Sequence, residues 1–273
     1  MKVSLSRKGF DSSAGGCASP ILPDGTLVPL PIPCGYGKSA TTYDALGLGE
    51  YVRDLTRGRL TGASAVHHDP DFRTGCFGQA GAAARHLAGH GFGPGDLFVF
   101  FGWFREVERT EGGRDGRWRF VPGAPDRHIV FGWLQVGAVF PLPEARAEVP
   151  ACAAGHPHLE PFFDRPGVLY TAADHLRLPG LNRLLPGRGL FTGSSQARVL
   201  TWPGAPRSRW RLPATLMPGR AVPPLRHHAD ARRWRRRAGA IELDTAKRGQ
   251  EFVLDLDAWA PARDWIVSMF AAT

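Results

Sequence analysis

No run of eighteen apolar residues occurs anywhere in the 273-residue chain, which excludes a membrane-spanning helix. The opening MKVSLSRKGFD lacks an apolar segment ending in a small-residue cleavage site, so it does not read as a secretory leader and a cytoplasmic location is expected. No CxxC pair occurs among Cys17, Cys34, Cys76 and Cys152, which argues against a zinc ribbon and a disulfide framework and leaves ordinary thiols. There is no internal repeat and no clean domain boundary. Pro141 to Pro150 is the best linker candidate, and one domain over residues 1–273 is the expectation. What the chain does have is core material. Hydrophobic residues make up 43% of it, with 8 Trp and 16 Phe, while 34 Gly and 24 Pro imply many turns and short strands.

Lys2 to Ser6 alternates apolar and polar residues as a strand does. From Lys8 to Lys38 the density of Gly, Pro and Ser rules out a helix and predicts a long structured loop. A short helix is expected within Ala45 to Leu60, and GQAGAAARHLAGHG predicts a second, closed by Gly91. LFVFFGWF (Leu97 to Phe104) and HIVFGWLQVGAVF (His128 to Phe140) are too aromatic and β-branched for helices and read as core strands. RWRF (Arg117 to Phe120) is expected to pair between them across the EGGRDG turn. Further strands are expected at Gly167 to Tyr170, Arg198 to Trp202, Trp210 to Leu212 and Glu251 to Leu254. HHADARRWRRRAG has helical propensity, and DLDAWAPARDWIVSMF reads as an amphipathic terminal helix with Pro261 in its first turn. The sum is an α+β chain: a central twisted antiparallel sheet or partial β-barrel, a few covering helices and a long N-terminal loop.

The formal net charge of +9 is not spread evenly. Arg207 to Arg237 holds ten Arg against one acid, Asp230, and the rest of the chain balances 24 bases with 24 acids. A stripe of Arg207, Arg209, Arg211, Arg232, Arg233, Arg235, Arg236 and Arg237, with Trp210 and Trp234 among them, suits a phosphate backbone carrying stackable bases. An Arg-rich solvated helix face is the equal alternative.

Four constellations could carry chemistry. KGFDSSAGG (Lys8 to Gly16) follows the first strand, where its backbone N–H groups could cradle an anion with Lys8 as counter-charge and Asp11 as base or ligand. It lacks the residue order of a Walker A loop and of a dinucleotide fingerprint. A plain turn, with Asp11 in an Asx bond and Gly15 and Gly16 at positive φ, competes with that reading. In HHDPDFR, His67, His68, Asp69 and Asp71 could hold a divalent metal, or one histidine could move a proton beside a carboxylate. Two further clusters, His156 with His158 and Glu160, and His227 with His228 and Asp230, read mostly as surface, with a metal site as the lesser alternative. The two FGW strands offer Trp103 and Trp133 as a platform for a base, with Gln135 or Arg105 to read its edge, or as interior filling. In LPGLNRLLPGRGLF, Asn182 and Arg183 could bind phosphate or a heterocycle edge, or form a structural loop.

SRKGFDSSAGGCASPILPDGTLVPLPIP, HHDPDFR, GDLFVFFGWFR and HIVFGWLQVG together resemble the nucleotide modification associated domain family, third type, from Met1 to about Phe252. The resemblance implies a link to modified nucleotides or DNA bases. It marks Lys8, Asp11, His68, Asp69, Asp71, Trp103, Trp133 and Gln135 as pocket candidates without assigning roles. GDLFVFF followed by HIVFGWLQVGAVF is also similar, over those strands alone, to the small barrels of the PUA, ASCH and EVE group, which bind RNA or modified bases.

Recognition or modification of a nucleotide or nucleic-acid base is therefore the leading expectation. The loops at Lys8 to Gly16 and His67 to Arg73 would meet near Trp103 and Trp133. His68 or Asp11 would move a proton and Lys8 would neutralise developing charge. A non-catalytic reader of modified bases and a metal-dependent enzyme acting on a small molecule are the alternatives.

Overall fold

The computed structural model describes residues 1–34, 39–112, 116–160, 163, 165–218, 225–246 and 251–271. Its first strand, β1 (Lys2–Arg7), alternates as its sequence predicts, yet both faces are buried: Val3, Ser4, Leu5 and Ser6 are all shielded from solvent. Such a strand needs neighbours on both edges to pair its backbone. It lies parallel to β4 (Leu97–Arg109) and antiparallel to β12 (Glu251–Asp255).

The sheet grows outward from these three strands. β4 pairs directly with β6 (Arg127–Leu142), Phe100 opposite Gly132 and Phe101 opposite Val130, so that Phe131 is the extra residue of a bulge. β6 then pairs with β7 (Gly167–Ala172), and β7 with β3 (Cys76–Ala80). The order is β12-β1-β4-β6-β7-β3, with β2 (Ser19–Ile21) and β5 (Trp118–Phe120) added to β4 and β8 (Arg188–Leu190) added to β6. RWRF does not lie between the two long strands as expected; it folds back on the far end of β4. The parallel β1–β4 and β2–β4 ladders make the sheet mixed, not purely antiparallel. It is also open: among the described residues no ladder joins β3 to β12, so the barrel expectation is not met.

Side chains alternate across β4 and fill a core on each face. Val99 and Phe101 pack with Val130 and Trp133 of β6 against Trp210 and Phe252, and against Trp265, Ile266 and Phe270 of helix α3 (Ala262–Ala271). Phe98, Phe100 and Phe104 pack on the other face with Phe131, Phe77 and Tyr170. Each such buried ring contributes about 1.5–3 kcal/mol of transfer free energy. A third cluster, with Phe10, Tyr43, Val52 and Val66, fastens the N-terminal loop to helix α1 (Gly49–Leu55). Helix α2 (Gly81–Gly89) ends as predicted: Gly91 takes φ +58 and Phe92 N–H returns to the Leu87 carbonyl. No helix among the described residues is long and apolar enough to cross a membrane.

HHADARRWRRRAG does not form the expected α-helix: after a single 3-10 turn at Ala231–Arg233 it becomes a strand. β9 (Arg209–Pro213), β10 (Trp234–Arg237) and β11 (Ala240–Asp244) form a separate antiparallel sheet. Trp210, Leu212, Trp234, Ile241 and Leu243 face the core, a period of two that wins over helical propensity because it buries two indoles. Arg198 to Trp202 makes only isolated bridges, at Val199 and Thr201. The expected N-terminal loop and EGGRDG turn extend into residues 35–38 and 113–115, outside the described residues.

Candidate functional site

β1 ends at Arg7, and Lys8 continues its course, its N–H bonded to the Phe101 carbonyl. The glycine of the first FGW allows this approach: a Cβ on Gly102 would lie 2.9 Å from the Lys8 carbonyl oxygen. Lys8 Nζ then turns inward, 3.3 Å from Glu251 Oε1 and 4.6 Å from the centre of the Phe77 ring. Glu251 is 1% exposed, and its carboxylate is held from several elements. Ser4 Oγ donates to Oε2 and Ser6 Oγ to Oε1, both at 2.8 Å, and Gln79 Nε2 donates to Oε1 from β3. The two ends of the open sheet thus meet through side chains around one buried charge. Both serines of the first strand, polar by pattern, are buried donors to it.

A cavity of about 220 Å³ opens beside Lys8. Its walls are largely apolar, with Phe72, Phe131, Leu46, Leu48 and the Pro29–Pro31 segment, and Lys8, His68 and Asp69 supply polar groups. Loop 66–72 is carried there by backbone bonds: Val66 bridges Pro33, His67 N–H bonds the Ile32 carbonyl, and Asp71 N–H bonds the Cys76 carbonyl. Burial lowers the pKa of His68 against the opposing pull of Asp71 and Asp69, which favours the neutral, proton-accepting imidazole.

Behind the cavity wall the Asp69 carboxylate is ringed by imidazoles. Oδ1 is 3.3 Å from His156 Nε2 and accepts the Gly78 N–H at 3.0 Å; Oδ2 is 3.4 Å from His158 Nε2 and 3.7 Å from His67 Nε2. Burial alone would raise the Asp69 pKa, but His156, His158 and His67 together hold it well below the usual carboxylate range. The pair His156 and His158, read from sequence as surface, is buried on the short 157–159 turn and its approach. Gly78 makes room for it, since a Cβ there would strike the His158 ring at 2.4 Å.

The other residues singled out in the sequence are placed differently. Asp11 Oδ1 accepts from Ser13 N–H, Ser13 Oγ and Ala14 N–H, each at 2.7 Å. This is the competing Asx turn, with Gly15 and Gly16 at positive φ, and Asp11 does not line the cavity. Burial would raise its pKa, yet those donors, with the Arg7 charge, carry it below the ordinary value. Asp71 closes a similar turn over Arg73 and Thr74. Trp103 and Trp133 lie on the face of the sheet opposite the cavity. Trp133 is buried against Phe191 and Phe270 and donates to the Pro186 carbonyl. Trp103 donates to Asp126 Oδ1 and lies under the Arg207 guanidinium, 3.9 Å from the ring centre. The buried Gln135 amide is used by the Gly95 and Arg177 carbonyls and the Arg177 N–H, while Arg105 donates to the Val121 carbonyl. Asn182 and Arg183 are exposed on their loop. His228 is a core residue, bonded to the Arg226 carbonyl and the Ala246 N–H, with burial lowering its pKa to about 4.

Acids answer much of the arginine stripe. Arg209 pairs with Glu242 and Asp244, Arg235 and Arg237 approach Glu242, and Arg232 pairs with Asp230. Arg233 donates to the Asp244 carbonyl, and Arg211 and Arg237 lie over the Trp202 ring. Arg236 is exposed at the end of β10. Two adjoining clefts run along the base of this sheet, one with Arg7, His128 and Arg207 in its lining, the other with Arg127, Trp202 and Arg211.

No curated protein and no solved structure matches the chain. A family model does, over residues 2–255, from the first residue of β1 to the last of β12. The strands that build the cavity and the buried Lys8–Glu251 pair fall within that match, and the chain belongs to the family described as nucleotide modification associated domain 3.

Proposed function

We propose that the cavity beside Lys8 takes the base of a nucleotide and that His68 moves a proton on it. The observation that carries this reading is the lining itself: a mostly apolar slot with Phe72 and Phe131 in its walls and Lys8, His68 and Asp69 as polar groups. At about 220 Å³ it is smaller than the roughly 300–1,000 Å³ that takes drug-sized ligands, which favours a single ring system. A neutral imidazole beside an ammonium group suits general-base chemistry on a ring nitrogen or exocyclic group. Membership of a nucleotide-modification family supports the choice of substrate class.

Free nucleotide is the favoured substrate over a long nucleic-acid strand. Half of the arginine stripe already meets acids, Arg209, Arg235 and Arg237 at Glu242 and Arg232 at Asp230, and both candidate stacking indoles lie across the sheet from the cavity. A reader of modified bases would use the same slot without turnover.

Nucleosides of each base, titrated by calorimetry, test the site. Leu48→Trp, which fills the slot, should abolish binding; retained binding would move the site elsewhere. His68→Asn should keep affinity within about threefold while turnover, followed by mass spectrometry of a nucleotide pool with common group donors, falls roughly 10²–10⁴-fold. Wild-type protein that binds but converts none of that pool would favour the reader.

A further inference from the structure

The histidines behind the cavity have no task in that reading, and their arrangement points to a second ligand. We propose that His67 Nε2, Asp69 Oδ2 and His158 Nε2 bind one divalent transition-metal ion of the zinc or iron(II) class, leaving a coordination position open to water or substrate. The three ligand atoms lie within 4.8 Å of one another, with Oδ2 3.7 Å from His67 and 3.4 Å from His158. Metal–ligand bonds of about 2.0–2.1 Å at tetrahedral angles set neighbouring ligand atoms about 3.3–3.4 Å apart. The two separations from Oδ2 are close to that spacing and longer than the roughly 2.7–2.9 Å of a charge-assisted hydrogen bond, while the third, between the two imidazoles, lies within 4.8 Å and closes as the ion binds. Two imidazoles and one carboxylate form a donor set used by zinc hydrolases and by non-haem iron enzymes.

The surroundings support a built site. Asp69 keeps its second oxygen oriented by the Gly78 N–H, as outer groups orient a ligating carboxylate, and His156 Nε2 stands 3.3 Å from that oxygen. Three imidazoles stand within 3.7 Å of this one carboxylate. His156 Nε2, buried, has no aligned hydrogen bond among the described residues. The loop also sorts its own residues: His68 lines the cavity and Asp71 serves a turn, so the ligand set spans His67 to His158, which sequence spacing does not reveal. Asp69 lines the cavity, so the ion would stand in its wall.

The proposal does not depend on base binding, because the metal alone is the probe. Chelator-stripped, dialysed protein titrated with Co²⁺ should give visible d–d absorption saturating at one equivalent, displaced by Zn²⁺. Anaerobic Fe²⁺ competition separates the two metal classes. His67→Gln and His158→Gln should each weaken Co²⁺ binding by more than about tenfold, while His86→Gln, in the separate cluster with His90 and His227, leaves it unchanged. Should His158→Gln fail to fold by circular dichroism, His67→Gln, at the more open edge of the cluster, decides. Wild-type protein without saturable Co²⁺ or Zn²⁺ binding, or a folded His67→Gln variant binding as tightly as wild type, would overturn the proposal. Nucleoside binding lost with Co²⁺ binding intact would count against the base site alone.

Discussion

At the residue scale, a buried acid and a buried base make opposite demands on the fold. Glu251 is 1% exposed and carries the Lys8 ammonium, so removing its charge strands a buried cation. Glu251→Leu is expected to lower unfolding free energy by about 3–5 kcal/mol in urea, and Lys8→Met in the same chain to restore a large part of it. His128 is the reverse case. Its Nδ1 accepts from Trp210 Nε1 at 2.9 Å, and burial, then the Arg207 and Arg7 charges, lower its pKa from 6.5 to about 3. The unfolded chain binds this proton first. The contribution of the neutral imidazole is therefore complete above about pH 6.5 and is lost toward pH 3, at about 1.4 kcal/mol per pH unit. His128→Gln should make the fall in urea midpoint between pH 6 and pH 4 shallower by one proton's worth; an unchanged slope would contradict the assignment.

At the element scale, local chemistry was readable where pattern and burial agree. The two FGW strands, the capped α2 and the strand at Lys2 follow from apolar runs and Gly91. Burial on both faces of β1 was not readable, because Ser4 and Ser6 look like a solvent face until Glu251 is placed opposite them. WRRR reads as helix by composition, and only the pairing of Trp234 with Leu243 makes it a strand. Of the candidate site, Lys8, His68 and Asp69 were visible as motifs. His156, His158, Gln79 and Glu251 were not, because their meeting depends on how distant strands are ordered. Gly78 tests that ordering: Gly78→Ala places a methyl 2.4 Å from the His158 ring, so a loss of about 1–3 kcal/mol and a shifted His158 imidazole resonance in NMR spectra are expected.

At the scale of the whole molecule, the excess charge and the cavity are separate. The guanidinium groups on the small sheet largely meet their own carboxylates or indoles, and the cavity lies on the other face of the large sheet. Nucleoside binding in the cavity should therefore change less than about twofold between 50 and 200 mM salt, where tracking 6–10 phosphates would cost roughly 10³–10⁵ in affinity. The strand order has a further consequence. Glu251 comes from β12 and Lys8 follows β1, so on the ribosome the ammonium beside the cavity must wait for 243 further residues before its counter-ion arrives. A nascent chain halted before residue 251 would present Ser4, Ser6 and Lys8 along an unpaired strand edge, a natural target for chaperones, even though every residue lining the cavity had already been made.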